Sequence, residues 1–494
     1  MMIAALFLAA TLSTGAQLDP AGRTIDAGNF PLSMTLTPEG DRVVLVLSGY
    51  LKPGIQIVDL ASGTVVQNIP LGHAFVGAAF SPDGKTLYIS GGNDDVVHVY
   101  SWKDKEATPA HDIDLKLTDK EAKGSRYPAG IAMSNDGRFL YVAENVGDDV
   151  AVIDAALSAV VSRIKTDHYP YAVAVAPNGD VFVSAWGANT VSAIHGDAEV
   201  KRIDVGRHPS ALRMNRDGSR LYVALSSVDK VAIIDTKSMK KIGALDESAT
   251  SAVREGTTPN ALALSPDGKR LYVAEADNNA VAVFDVASHE RLGRIPAGWY
   301  PSDVIATHDR LLVLNSKGRG TGPNPAAGHP DTRHEETYIL SEISGTVSVI
   351  DLPIANLASL TRRVAASNHW RTTASHAHRY PPFKHVLYII KENRTYDQVL
   401  GDMKDGDGDP ALVFFGRDIS PNHHALAERF GLFDRFFTSG EVSEQGHIWA
   451  TAAYVTDYSE KTVHATYSRK RPDADEGDVD DPAEGYLWTR AAQK

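Results

Sequence analysis

Short apolar runs alternate with polar residues through the first two-thirds of the chain, and Asp-Gly or Asn-Gly breaks them at regular intervals. Runs such as Arg270-Leu-Tyr-Val-Ala-Glu275 and Ala280-Val-Ala-Val-Phe-Asp285 have period two and suit half-buried strands, not helices. Gly accepts positive φ without steric cost, so the breaks are tight hairpin turns. One cassette recurs every forty to fifty residues: an X-Pro step, an apolar run, a turn, a second strand, an Asn/Asp turn, and a third strand closing on Asp. Six copies turn at Gly40, Gly84, Gly137, Gly179, Gly218 and Gly268. A degenerate seventh enters at Tyr300-Pro301 and turns at His308-Asp309; the closing Asp recurs as Asp59, Asp154, Asp235, Asp285 and Asp351.

Each copy supplies the four strands of one small sheet. A lone sheet of that size cannot bury both faces, but a ring of them can. The pattern therefore predicts a seven-bladed β-propeller over residues 20–355. The segment Gly22–Gly28 reads like a fourth strand but precedes the first copy, so it is expected to pair beside Thr346–Asp351 and close the ring. The repeat resembles the YVTN-type propellers, close to the YncE-like proteins. That resemblance implies the fold and leaves the function open.

Five copies carry an aromatic or His before the entry Pro: Phe30, Tyr127, Tyr169, His208 and Tyr300; Thr258 takes that place in the sixth, and the second has no Pro there. The innermost strands line the channel, so these residues should ring one mouth. They read either as repeat-encoded loop packing or as a docking ring for a ligand or for the next domain. The seventh copy holds an insertion from Asn315 to Ser344, expected to reach over the mouth. Its Lys317-Gly-Arg-Gly-Thr-Gly stretch lacks the helix and Lys-Ser/Thr ending of a phosphate loop.

Past the repeats, residues 356–382 read as a linker with His369, His376 and His378 irregularly spaced. From 383 to 494 the pattern turns α/β. Lys384-His-Val-Leu-Tyr-Ile-Ile-Lys391 suits a central strand, ending at Glu392-Asn393-Arg394-Thr395-Tyr396-Asp397. Ligands of open α/β sheets bind beyond strand carboxyl ends, where a carboxylate and an amide oxygen could hold a cation, though a helix cap is as good a reading of the residues alone. Phe433–Ser439 then reads as strand and turn. Ser443 should sit at the N-cap or first turn of an Ala-rich helix, where free N–H groups favour a phosphoryl group. Asn422-His423-His424 reads as another helix start, with Leu426 and Phe430 facing inward. Asp405-Gly-Asp-Gly-Asp409-Pro410 departs from a calcium loop at its sixth and twelfth positions and reads as a solvated turn.

The strand followed by Glu-Asn-Arg-Thr-Tyr-Asp resembles the opening of the phosphoesterase family of bacterial phospholipases C and acid phosphatases, within the alkaline-phosphatase superfamily. The resemblance implies Glu392 and Asn393 as ligands of a divalent metal (Zn, Mg, Mn or Ca), Ser443 as nucleophile, and His447 as a phosphate contact. Relatives carry Pro-Asn where this chain has Gln445-Gly446, which leaves the role of Gly446 open. Thr438, Ser439 and Thr451 are further hydroxyls nearby. The implied substrates are phosphate-ester small molecules or phospholipid-type esters. The Asp and His ligands of later strands do not follow Ser443, so the chain reads as the opening part of such a domain, inactive by itself.

Composition narrows the field. A net charge of -13 argues against a general nucleic-acid grip. The absence of cysteine excludes thiolate metal sites, disulfides and c-type haem attachment. Residues 1–16 read as a signal peptide with Thr14 and Ala16 before a cleavage point, too short to span a bilayer, so the protein is expected to be exported, periplasmic or secreted. Two functions remain: a metal-dependent phosphoric ester hydrolase docked on a propeller, or a non-catalytic exported propeller that binds a protein or surface ligand.

Overall fold

A computed structural model describes residues 10–118, 120–249, 256–321, 338–370, 383–472 and 477–493. Seven four-stranded antiparallel sheets form the blades of a ring. In six of them the strands run in chain order from the innermost, A, to the outermost, D. Each turn Gly that opens an A–B hairpin has positive φ, from +70° at Gly84 and Gly268 to +90° at Gly179. The recurring Asp at the end of strand C caps the next turn. Asp59 accepts the N–H groups of Ala61 and Ser62, and Asp285 those of Ala287 and Ser288.

Neighbouring blades share their cores. Tyr222, Ala224, Val231 and Ile233 of blade 5 pack on Leu262, Leu264, Leu271 and Val273 of blade 6. The ring closes in blade 7 as the repeat pattern required. Arg23–Asn29 pairs antiparallel with Ser344–Asp351, in the register Arg23↔Val349, Thr24↔Ser348, Ile25↔Val347 and Asp26↔Thr346. This joins the two ends of the ring within one sheet and leaves the latch Ile25 2% exposed.

The helices are α1 (Ile339–Glu342), α2 (Leu357–Ser367), α3 (Tyr396–Leu400), α4 (Pro421–Phe430), α5 (Ser443–Ala452), α6 (Asp457–Tyr467) and α7 (Leu487–Ala492). Among the described residues no helix is long and apolar enough to cross a membrane. Helix α2 lies inside the expected linker. It is capped by Asn356, and its Thr361 hydroxyl accepts the Arg294 N–H of blade 6. His376 and His378 lie outside the described residues. Thr11 and Gln17 form an isolated antiparallel bridge, and Leu12, Ala16 and Leu18 are buried beside Trp299. The expected cleavage point thus falls within a packed turn; residues 1–9 lie outside the described residues.

The α/β expectation is corrected in its strands. Lys384–Lys391 joins no sheet, and Phe433–Ser439 forms no strand either. No described segment lies in register beside them, and an isolated strand has nothing to satisfy its N–H and C=O groups. Leu426 and Phe430 of α4 are 58% and 74% exposed, against the inward facing expected of them. His424 is the buried residue of that helix, and its Nε2 lies 2.7 Å from Asp402 Oδ1. The acidic turn is held by Arg435, which binds Asp407.

Candidate functional site

The mouth where the A strands begin is built from strained, buried residues. Phe30, Tyr127, Tyr169, His208, Thr258 and Tyr300 all have φ between +46° and +57°, a region that costs non-glycine residues on the order of 1 kcal/mol or more. All six are buried. Ala74 holds the corresponding place in blade 2, and the next residue, Phe75, where the other blades have Pro, packs against Tyr127. The ring encloses α6, whose residues Asp457 to Ala465 are all buried. Phe30 stacks on His464 with centroids 3.8 Å apart, and Tyr169 and Trp186 flank Tyr458. The mouth is a socket occupied by the chain's own helix.

That helix is polar, so its burial rests on matched partners. Asp457 Oδ1 accepts the Tyr300 hydroxyl (2.7 Å) and Asn260 Nδ2 (3.1 Å), and its Oδ2 accepts Lys461 Nζ (2.9 Å). Thr456 caps the helix by accepting the Ser459 N–H. Lys317, from the Gly-rich stretch of blade 7, reaches in to pair with Glu460 (2.6 Å) and Glu441 (2.9 Å). Arg471 lies over Tyr127, Tyr169 and Tyr458 and donates to Asn145 Oδ1 and the Tyr458 hydroxyl. Arg207 and His208 take Asp478. Burial raises Glu460 to about 7 against the opposing pull of Lys317, and pushes His464 well below its ordinary value. Burial, with Arg207 beside it, lowers His208 to about 4.

Helix α6 in turn holds α5. Gln445 Nε2 donates to Glu460 Oε2 (3.0 Å), and the Tyr467 hydroxyl accepts the Glu444 N–H (3.3 Å). Helix α5 begins where its composition placed it, with Val442 as the N-cap and Ser443 as its first residue. Ser443 and His447 are one turn apart, share a face, and are both exposed. Glu392 arrives from the preceding segment, its Oε2 3.7 Å from His447 Nε2, while the Tyr388 hydroxyl donates to the Ala450 carbonyl. Asn393 follows with φ +68° and is exposed.

The other hydroxyls face elsewhere. Thr438, Ser439 and Gly446 line a cavity of about 940 Å³ together with Trp299, Arg319 and Trp449, and Thr451 bonds back to the His447 carbonyl. As to a metal, Glu392 and Asn393 supply two donors. Among the described residues no three His, Asp or Glu side chains gather to hold an ion, so this donor set does not complete a metal site.

The comparisons agree on the ring. The family model of the lactonase seven-bladed β-propeller matches residues 77–204 and 187–296. A hydrazine synthase from Kuenenia stuttgartiensis is 20% identical, covers 58% of this chain and 93% of its own, and has a TM-score of 0.50. A virginiamycin B lyase from Staphylococcus aureus is 13% identical over 67% of this chain and 99% of its own, also at 0.50. A streptogramin B lyase is 12% identical over 66% and 97%, again at 0.50. No curated protein matches. The chain carries a seven-bladed β-propeller. At these identities the likeness concerns fold alone, and the chemistry has to be argued from the site.

The sequence had marked Ser443, His447, Glu392 and Asn393, and the structure sets Glu392 beside His447, one helical turn from Ser443. It had not marked Asp457, Lys461, His464 or Arg471. The signal present for α6 was Thr456 as an N-cap ahead of Asp457 and Glu460.

Proposed function

We propose that the chain is a hydrolase of phosphoric esters, with Ser443 as nucleophile and the propeller as the frame that holds its helix. The observation supporting this reading is the approach of Glu392 to His447 at 3.7 Å, one helical turn from a serine at a helix start. Ser443 Oγ attacks phosphorus while its proton passes to His447, and the imidazolium, steadied by Glu392, returns that proton to the departing alkoxide oxygen. Water then opens the phosphoseryl intermediate by the reverse transfer, releasing phosphate and restoring Ser443. The helix start favours the phosphoryl charge. The residues named here carry each step.

Two measurements test this. A fluorophosphonate probe should modify Ser443, read by peptide mass spectrometry, and His447→Gln should abolish the adduct. Turnover of p-nitrophenyl phosphate should fall to background in Ser443→Ala. An adduct on another residue, no adduct, or unchanged turnover in Ser443→Ala would remove the assignment.

A further inference from the structure

Below the plug, the A strands of all seven blades enclose a cavity of about 460 Å³, within the range of small-molecule sites. The seven repeats give an internal comparison of its wall. Seven residues before the turn glycine stand Ser33, Gly77, Gly130, Ala172, Ala211 and Ala261, and the matching residue of blade 7, counted from Pro301, is Asp303. Five residues before the turn glycine stand Thr35, Ala79, Ala132, Ala174, Arg213 and Ala263, with Ile305 in blade 7. The fold asks for small or apolar residues at both levels, and the two charges are exceptions that packing does not require.

The two exceptions differ. Asp303 has structural employment: its Oδ2 accepts the Met34 N–H of blade 1 and its Oδ1 accepts the Val304 N–H, both at 2.8 Å. It thereby closes the joint between the last and first blades. Arg213 has no hydrogen-bond acceptor among the described residues, and Asp303 is its counter-charge. Its side chain is accessible to water, yet the surrounding protein lowers its pKa against the pull of Asp303. Arg213 lines the channel and is open to its water. Arg213 stands three residues further along its strand than the level of Tyr171, which meets Lys461 of the plug. At ~3.3 Å per residue that is roughly 10 Å from the channel's closed end.

We propose that the channel is a binding site for a small oxyanion, a carboxylate or phosphate group carried by a compact molecule, held by the Arg213 guanidinium. A guanidinium presents a planar fork matched to both groups. The cavity size excludes a folded partner, and the plug closes the end toward Ser443, so this site is separate from the proposed ester chemistry.

The test is calorimetric titration of the whole chain with sodium acetate and, separately, sodium phosphate, against sodium chloride at equal ionic strength. One of the two anions should bind saturably at one site per chain. Which one binds identifies the group recognised. Arg213→Ala should weaken that binding about tenfold or more, and Arg213→Lys should restore part of it. Alanine already occupies this level in four blades, so the variant should melt with the wild type in chloride buffer. Failure of both anions to bind, or equal binding by Arg213→Ala, overturns the proposal; phosphate held equally by that variant would belong to α5 instead.

Discussion

Two apolar runs of equal length end in opposite places. Val43-Val-Leu-Val-Leu47 in blade 1 is 0% to 3% exposed, whereas Val386-Leu-Tyr-Ile-Ile390 is 40% to 85% exposed and forms no strand. Both are rich in β-branched or aromatic residues. Composition gives each run a tendency, but a strand is made by its neighbours. The blade 1 run pairs with Pro31–Leu36 on one side and Gly54–Asp59 on the other. The later run has no described segment in register beside it, and the single hydroxyl bond from Tyr388 is its tie to α5.

The largest expected effect breaks or sharpens this contrast directly. Val46→Asp places an unpaired carboxylate at a fully buried position between two strands and should destabilise the ring by about 4 kcal/mol or more. Leu387→Asp, at 85% exposure, should change stability by less than about 0.5 kcal/mol. Thermal unfolding of both variants decides. A comparable loss in Leu387→Asp would mean that the later run is buried in solution and that the contrast is false.

The plug sets a polar buried helix against the apolar blades. Lys461→Met leaves Asp457 buried without its cation, a change that typically costs about 3–5 kcal/mol. The loss should be local. Hydrogen exchange of 457–467 should accelerate while protection of the blade strands holds. Simultaneous replacement of Asp457 by Leu should recover part of the protection, because an apolar pair of similar volume often substitutes for a buried ion pair. Exchange rising equally in blades and plug would show that the helix belongs to the core of the ring and is no separate insert.

What the sequence revealed follows the same division. The blades were legible because each signal is local and recurs from copy to copy: alternating strands in all seven, a turn glycine in six, a capping Asp in five. The latch was legible because a fourth-strand pattern stood ahead of its first strand. Helix α5 was legible through its alanines, with Ser443 in its first turn. The plug was not. Asp457, Glu460, Lys461 and His464 carry no apolar pattern that would announce burial, and what buries them is a ring of side chains scattered from Phe30 to Tyr300. The ring residues were visible, but nothing in them names the occupant. Lys384–Lys391 was misread for the converse reason, since a good strand composition carries no information about whether a partner is present. Arg213 shows an intermediate case, silent by itself and conspicuous once the seven copies are aligned.

The smallest effect concerns the protons of the plug. Burial is the main cause that raises Glu460 to about 7, with Glu441 nearby adding to it and Lys317 opposing. An acid whose pKa is higher folded than unfolded contributes stability that is present below the unfolded value and lost as pH rises through the folded one. Glu460 should therefore weaken the folded state progressively between about pH 4.5 and pH 7. Buried His464, held well below its ordinary value, works in the opposite direction as pH falls below the ordinary histidine range, so the whole-protein pH profile mixes the two. Substitution isolates the acid. Glu460→Gln keeps an acceptor for Lys317 and carries no titrating proton. Its melting temperature should match the wild type at pH 5 and exceed it by a few degrees at pH 8, the gap opening as Glu460 ionises in the wild type. A gap that closes as pH rises would mean that the Lys317 attraction outweighs burial, and that the socket holds its helix by charge more than by enclosure.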